Sequence, residues 1–143
     1  MSSATLNRVD AMTLDFDENG RYLEEGKPFT GLLYLESESG ALEAEQEVRD
    51  GYKWGAQREW HVPGVLTLEW HAVKGEPHGG YRSFHANGNL ASDKKYEFGV
   101  CVSERSFEET GVAKESWQIG PSDADYRTWE ARKQRDAGSP DYR

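Results

Sequence analysis

Glycine recurs in this chain with a step that few folds can carry. Gly40, Gly64, Gly88 and Gly111 stand 24, 24 and 23 residues apart. Gly51, Gly75 and Gly99 repeat the step of 24, and so do Gly31, Gly55 and Gly79, with Ser103 where a fourth member would fall. Three series in one phase describe an internal repeat, and a repeat has to be recognised before any single element is read. The copies agree in more than glycine. Two residues after the first series come Leu42, Leu66, Leu90 and Ala113; four residues before it come Glu36, Trp60, Phe84 and Phe107.

The period names the unit. Two strands of roughly eight residues and two turns of roughly four fill about 24 positions, which is one β-hairpin. Alternation supports strands over helices, since Leu66, Leu68, Trp70 and Ala72 are apolar while Thr67, Glu69 and His71 between them are polar. The first glycine series falls in the turn pairs Ser39-Gly40, Pro63-Gly64, Asn87-Gly88 and Thr110-Gly111, places that need positive φ or no side chain. These pairs differ, which leaves the register at each tip open.

The fold expected is mainly β: an antiparallel meander of 23–24-residue hairpins over residues 14–119, forming a single-layer sheet, within one domain of 143 residues. Leu14 and Phe16, a turn at Glu18-Asn19-Gly20, and Tyr22 and Leu23 make a shorter leading hairpin. Residues 1–10 read as a frayed start or an edge strand. A helix is expected over 121–137, opened by Pro121 and Ser122, with Asp123 and Asp125 in its first turn, Arg132, Lys133 and Arg135 in its last, and Gly138 beyond. Tyr126 and Trp129 give it an aromatic stripe to cover part of the sheet or an open end of it. The best-buried residues of the array are expected to be Trp60, Leu66, Leu68, Trp70, Phe84, Leu90, Tyr96 and Phe107.

Lys27-Pro28-Phe29-Thr30-Gly31, Asn87-Gly88-Asn89-Leu90 and Tyr96-Glu97-Phe98-Gly99 resemble the variant MORN repeats of bacterial YwqK-type antitoxins and of immunity proteins against interbacterial toxins. The resemblance covers about residues 14–119. It implies a repeat scaffold that binds a cognate protein toxin and neutralises it by occlusion.

Composition narrows the chemistry. A formal charge of −9 argues against gripping nucleic acid or an anionic membrane, because both need a basic footprint, and favours a partner protein with a basic surface. The single cysteine, Cys101, excludes an internal disulfide framework, and the absence of a long apolar run points to the cytosol. Cys101 lies between Val100 and Val102 and reads as a small strand residue, not a nucleophile. His61 and His85 occupy equivalent places in consecutive copies, about 10 Å apart across an intervening strand, too far for one metal ion. They and the unmatched His71 and His78 read as solvated strand histidines. The glycines form neither a GxGxxG nor a Walker pattern. No catalytic residues, metal or cofactor are therefore expected, and the chain is not expected to be an enzyme.

Two rows are the candidate partner-binding residues. Glu45, Glu69 and Asp93 sit five residues after their glycines, and Glu43 and Glu47 extend the row in the first copy, making either a solvated face or an acidic ridge that steers a basic partner. Arg58, Arg82 and Arg105 sit six before their glycines, alternating with Trp60, Phe84 and Phe107, and either pair with neighbouring acids or dock a partner. The alternative to toxin neutralisation is a MORN-type scaffold that holds proteins together; a lipid-binding array is disfavoured by the charge.

Overall fold

Two kinds of turn alternate along the chain and set the register of everything between them. At one edge, Glu25-Gly26, Asp50-Gly51, Lys74-Gly75 and Phe98-Gly99 each hold two consecutive residues at positive φ, the first at 51–52° and the second at 79–85°. That is a type I′ hairpin loop, whose twist matches the strands it joins. The glycine N–H of each later turn reaches back to the preceding copy: Gly51 to the Phe29 carbonyl, Gly75 to Lys53 and Gly99 to Pro77, at 2.8–2.9 Å. Each copy is thereby fastened to the one before it.

At the opposite edge the tips of Gly20, Gly40, Gly88 and Gly111 share one geometry. The glycine N–H donates to the carbonyl three residues back, and that residue's N–H donates to the carbonyl four ahead, as in Ser37 to Ala41 at 2.8 Å and Gly40 to Ser37 at 2.9 Å. This is a type I turn closed by a glycine bulge. The Gly64 tip departs from it for a local reason. Pro63 would occupy the third place of the type I turn, where proline drives its predecessor out of the helical region. The turn shifts by one residue instead, to Val62-Pro63-Gly64-Val65, with the Val65 N–H bonded to the Val62 carbonyl at 2.9 Å and Gly64 at φ 78°. Proline second and glycine third is the type II pattern.

The computed structural model describes residues 7–142. Its strands are β1 (Arg8–Asp10), β2 (Asp15–Phe16), β3 (Tyr22–Glu24), β4 (Lys27–Pro28), β5 (Gly31–Glu36), β6 (Leu42–Arg49), β7 (Tyr52–Glu59), β8 (Leu68–Val73), β9 (Glu76–Phe84), β10 (Leu90–Glu97), β11 (Val100–Phe107) and β12 (Ala113–Gln118). One nine-stranded sheet runs β1-β5-β6-β7-β8-β9-β10-β11-β12, antiparallel from β5 onward, and β2-β3-β4 form a separate small sheet. The expected leading hairpin is present, with Asp15 opposite Leu23 and Phe16 opposite Tyr22, but it belongs to the small sheet. Of residues 1–10, the first six lie outside the described residues. Arg8–Asp10 is an edge strand, parallel to β5.

The core is not where the apolar alternation places it. Trp60, Leu66, Leu68, Trp70, Phe84, Leu90, Tyr96 and Phe107 are all only half-buried. The buried apolar residues are Leu14, Phe29, Leu33, Val48, Ala72, Val73, Phe98, Val100 and Val102. A one-layer sheet buries side chains only where another segment lies on it, and the covering segments gather toward the two-residue turns. Leu14, Phe29, Leu33 and Val48 form one cluster, joined by Val9, Ala11 and Tyr22 from the N-terminal elements. Phe84 illustrates the consequence. Phe84→Ala should cost about 1 kcal/mol, not the roughly 3 of a fully packed phenylalanine, as read by urea denaturation.

The C-terminal segment covers the other part of that edge. Helix α1 (Tyr126–Asp136) is shorter than the 121–137 expected. Residues 121–125 form turns because the Asp123 carboxylate accepts the Gly120 N–H at 2.7 Å and is not available as a helix cap. Tyr126 and Trp129 are the expected stripe, 5.5 Å apart, and the Trp129 indole N–H donates to Glu97 at 2.8 Å. Arg132 donates to the Phe98 carbonyl at 2.8 Å, and Lys74 pairs with Asp141 at 2.7 Å. The rings of His78, Phe98 and Tyr142 form a mutual cluster with centroids 4.7–4.8 Å apart, and His78 Nδ1 accepts the Phe98 N–H at 2.8 Å.

This arrangement predicts a pH dependence. Burial holds the His78 imidazole below its ordinary value of 6.5; Glu97 opposes that shift, while His71 and Lys95 add to it. A base with a depressed folded-state pKa is protonated more readily when unfolded, so its contribution is complete above about 6.5 and is lost as pH falls through the folded-state value. Thermal stability should therefore decline on acidification below pH 6.5 more steeply in the parent than in His78→Asn, whose side-chain oxygen keeps the acceptor and does not titrate.

Candidate interaction face

Antiparallel pairing carries a residue on one strand to a fixed partner on the next, and the bulges of these strands fall to either side of one row. Followed across six strands, that row joins the two series into one. Glu45 stands opposite Arg58, Arg58 opposite Glu69, Glu69 opposite Arg82, Arg82 opposite Asp93, and Asp93 opposite Arg105. The row is flanked by Tyr34 on β5 and Ser116 on β12, and the Arg8 guanidinium stacks 3.8 Å over the Tyr34 ring. The next row along the strands, from Leu33 through Gln57 to Trp117, points to the opposite face. We call the face bearing the charged row face B and the other face A.

Face A receives the N-terminal cover: Leu33 and Gln57 lie at 0 and 1% exposure, and the Tyr22 hydroxyl bonds Gln46 at 3.2 Å. Trp70, Tyr81 and Tyr96 continue it as an aromatic chain with centroids 5.6 and 5.2 Å apart. Face B stays open, since the side chains of Arg58, Glu69, Arg82, Asp93 and Arg105 are 28–63% exposed.

The expected acidic ridge is thus a ladder of alternating sign, with three acids and three arginines. Arg58 Nε donates to Glu69 at 2.7 Å and Arg105 donates to Asp93 at 2.6 Å. Arg82 is the least engaged, at 3.8 Å from Glu69 although both its cross-strand neighbours are acids. At these exposures each pair contributes about 0.2–1 kcal/mol. The same regularity that avoids repulsion between like charges sets out a fixed pattern of both signs.

The remaining expected residues divide. Trp60 follows Arg58 by two on the same face, half-buried, with its N–H bonded to the Glu43 carbonyl at 2.8 Å, so Glu43 and Trp60 are neighbours at the tip side of the ladder. Glu47 leaves the set: its carboxylate accepts the Ala56 N–H and lies against Gly55, which has no side chain to exclude it. Phe84 and Phe107 stand two beyond Arg82 and Arg105, and the Arg105 guanidinium is 5.7 Å from the Phe107 ring centroid. Toward the two-residue turns, the small residues Ala56, Gly80 and Ser103 leave face B hollow between larger side chains. Ala56, His71 and Gly80 with Arg58 and Arg82 line a hollow of about 250 Å³, and Gly80, Lys95, Ser103, Asp93 and Arg105 line a second of about 400 Å³.

Gly80 and Lys95 escaped the sequence reading, although a second glycine beside the periodic Gly79 was a usable signal, because glycine inside a strand marks a close approach or an opening. The asparagines of the Gly88 tip escaped it too. The Asn87 and Asn89 side chains both donate to the Glu109 carbonyl, at 2.9 and 2.8 Å, and His85 Nε2 lies 2.9 Å from the Phe107 carbonyl. His85 is therefore no solvated strand histidine but a tie between neighbouring tips, whereas His61 is exposed. His71 Nδ1 lies 3.0 Å from the His78 carbonyl. Burial pushes the Cys101 thiol up, away from thiolate chemistry, and its Sγ faces the Ser103 carbonyl at 3.4 Å. Among the described residues no three His, Cys, Asp or Glu are grouped to hold a metal ion, and no helix is long and apolar enough to cross a membrane. Comparison with protein families, with curated proteins and with solved structures finds no match.

Proposed function

We propose that the chain is an immunity protein or antitoxin that binds a cognate bacterial protein toxin in the cytosol and neutralises it by occlusion, with face B as the contact. The ladder is the observation that carries this reading. Six charges of alternating sign, held in register on an open face and bordered by Trp60, Phe84 and Phe107, form a recognition pattern: charge gives orientation and half-buried aromatics give anchors. The resemblance of the repeats to MORN-type immunity proteins supplies the biology.

The electrostatics work at two ranges. The net charge of −9 attracts a basic partner from a distance, with exposed Glu43 contributing near the contact. The ladder itself is neutral, so at contact it selects a surface carrying both signs. Arg82, the least engaged arginine, is the residue through which the partner's acid is expected to dock. Co-expression with the product of the neighbouring gene tests the proposal: the two proteins should co-elute, and the chain should restore growth of cells expressing that product. Arg82→Glu should weaken the complex at least about tenfold. Co-elution without restored growth would replace the reading by a scaffold; absence of both would remove it.

A further inference from the structure

We infer that face B is self-complementary, and that two copies of the chain pair through it about a two-fold axis parallel to the strands. The ladder has six members in strict alternation: Glu45, Arg58, Glu69, Arg82, Asp93 and Arg105. Reversed end for end, an alternating row with an even number of members presents the opposite charge at every place. A two-fold axis between β8 and β9, lying in the plane between two stacked sheets, performs that reversal. It sets Glu45 against the second copy's Arg105, Arg58 against its Asp93, and Glu69 against its Arg82, each pair occurring twice as an isologous contact requires. Rotation about the direction of the row would instead face every charge with itself.

The neighbouring positions agree by size. Ala56 pairs with His71 on β7 and β8, and Gly80, Lys95 and Ser103 follow one another across β9 to β11; the bulge of β9 against β8 falls between the two sets, which meet in one hollow. The same axis lays His71 over the Gly79-Gly80 bulge, where a Cβ added at Gly80 meets nothing within 4 Å, and Lys95 over Ala56. The two largest side chains of these positions thus enter the hollow of about 250 Å³ floored by their two smallest. Charge and shape select one axis.

Six strands at about 4.8 Å span about 24 Å. Such a face falls below the area of a standard stable interface, and its contacts are ionic, so the dimer should dissociate at a Kd on the order of 10–100 µM and weaken with salt. Because dimer and toxin would use one face, toxin binding should release monomers. Self-association and toxin binding stand or fall separately. A monomeric chain that neutralises a toxin would overturn the dimer alone, and a dimer that neutralises nothing would overturn the toxin reading alone.

Sedimentation velocity across that concentration range at low salt is the test. The parent should dimerise. Arg58→Glu sets like charges against each other twice, and so does Asp93→Arg, so each alone should self-associate at least about tenfold more weakly. Mixed in equal amounts they should dimerise again, because the glutamate introduced by the first substitution then faces the arginine introduced by the second, and the remaining pair keeps its native Asp93 and Arg58. Gly80→Trp fills the hollow, leaves every ladder charge in place and should also abolish the dimer; should a charge variant lose its circular dichroism spectrum, this variant decides. A parent that stays monomeric at millimolar concentration, or a mixture that does, overturns the inference. Dimerisation indifferent to all three variants also overturns it, and would assign the contact to the exposed outer strand β12.

Discussion

Replacing Leu33 by alanine should lower stability by about 3–4 kcal/mol, the largest effect expected from truncating any apolar residue of the sheet. Leu33 is fully buried and packs with Leu14, Phe29 and Val48, where the N-terminal elements close over face A. A cavity there cannot collapse easily, because its walls come from the large sheet and from the N-terminal segments docked on it, and cavities that persist sit at the upper end of the Leu→Ala range. Urea denaturation of Leu33→Ala beside Phe84→Ala reads the difference directly. Equal losses would mean that the core is spread along the meander, as the alternation alone suggests, and not gathered beneath the covering segments.

Gly31→Ala should be at least as damaging, by about 3 kcal/mol or more. Gly31 has φ 155°, and a Cβ there would press into the backbone carbonyl of Asn7 and approach the Phe29 ring to 2.8 Å. Asn7 cannot yield without losing the 2.7 Å bond from the Leu32 N–H to its carbonyl, which leads β1 onto β5. Strain and clash then add. Gly80→Ala is the control. It has open space and an ordinary backbone, so it should match the parent within about 0.5 kcal/mol. A tolerant Gly31 would place the N-terminal strand elsewhere.

The difference between these two glycines marks how far the sequence could be read. The step of 24 identified the hairpins and the edges on which their turns lie, because turn chemistry is local and glycine declares it. Register was beyond it: the dissimilar pairs at Gly40, Gly88 and Gly111 adopt one geometry, and Gly64 alone differs because of Pro63. The core was misplaced for a related reason. Alternation shows that Leu68 and Trp70 share a face, but only tertiary docking shows that Leu33, on β5, is the one covered. The acid and arginine rows were each legible as periodic series. Their merger into one ladder depends on which strand positions face each other, and that follows from turn geometry the residues did not declare.

Partner binding through face B is tested most directly by measuring the affinity of the neighbouring gene's product for three single variants whose fold is intact: Gly80→Trp and Arg82→Glu on face B, and Lys114→Glu on the exposed strand β12. Both face B variants should bind at least about tenfold more weakly than the parent. Lys114→Glu should bind within about twofold of it, as a lone exposed charge away from the contact does. Parent-like affinity in the first two, with loss in the third, would contradict the account and move recognition to the sheet edge.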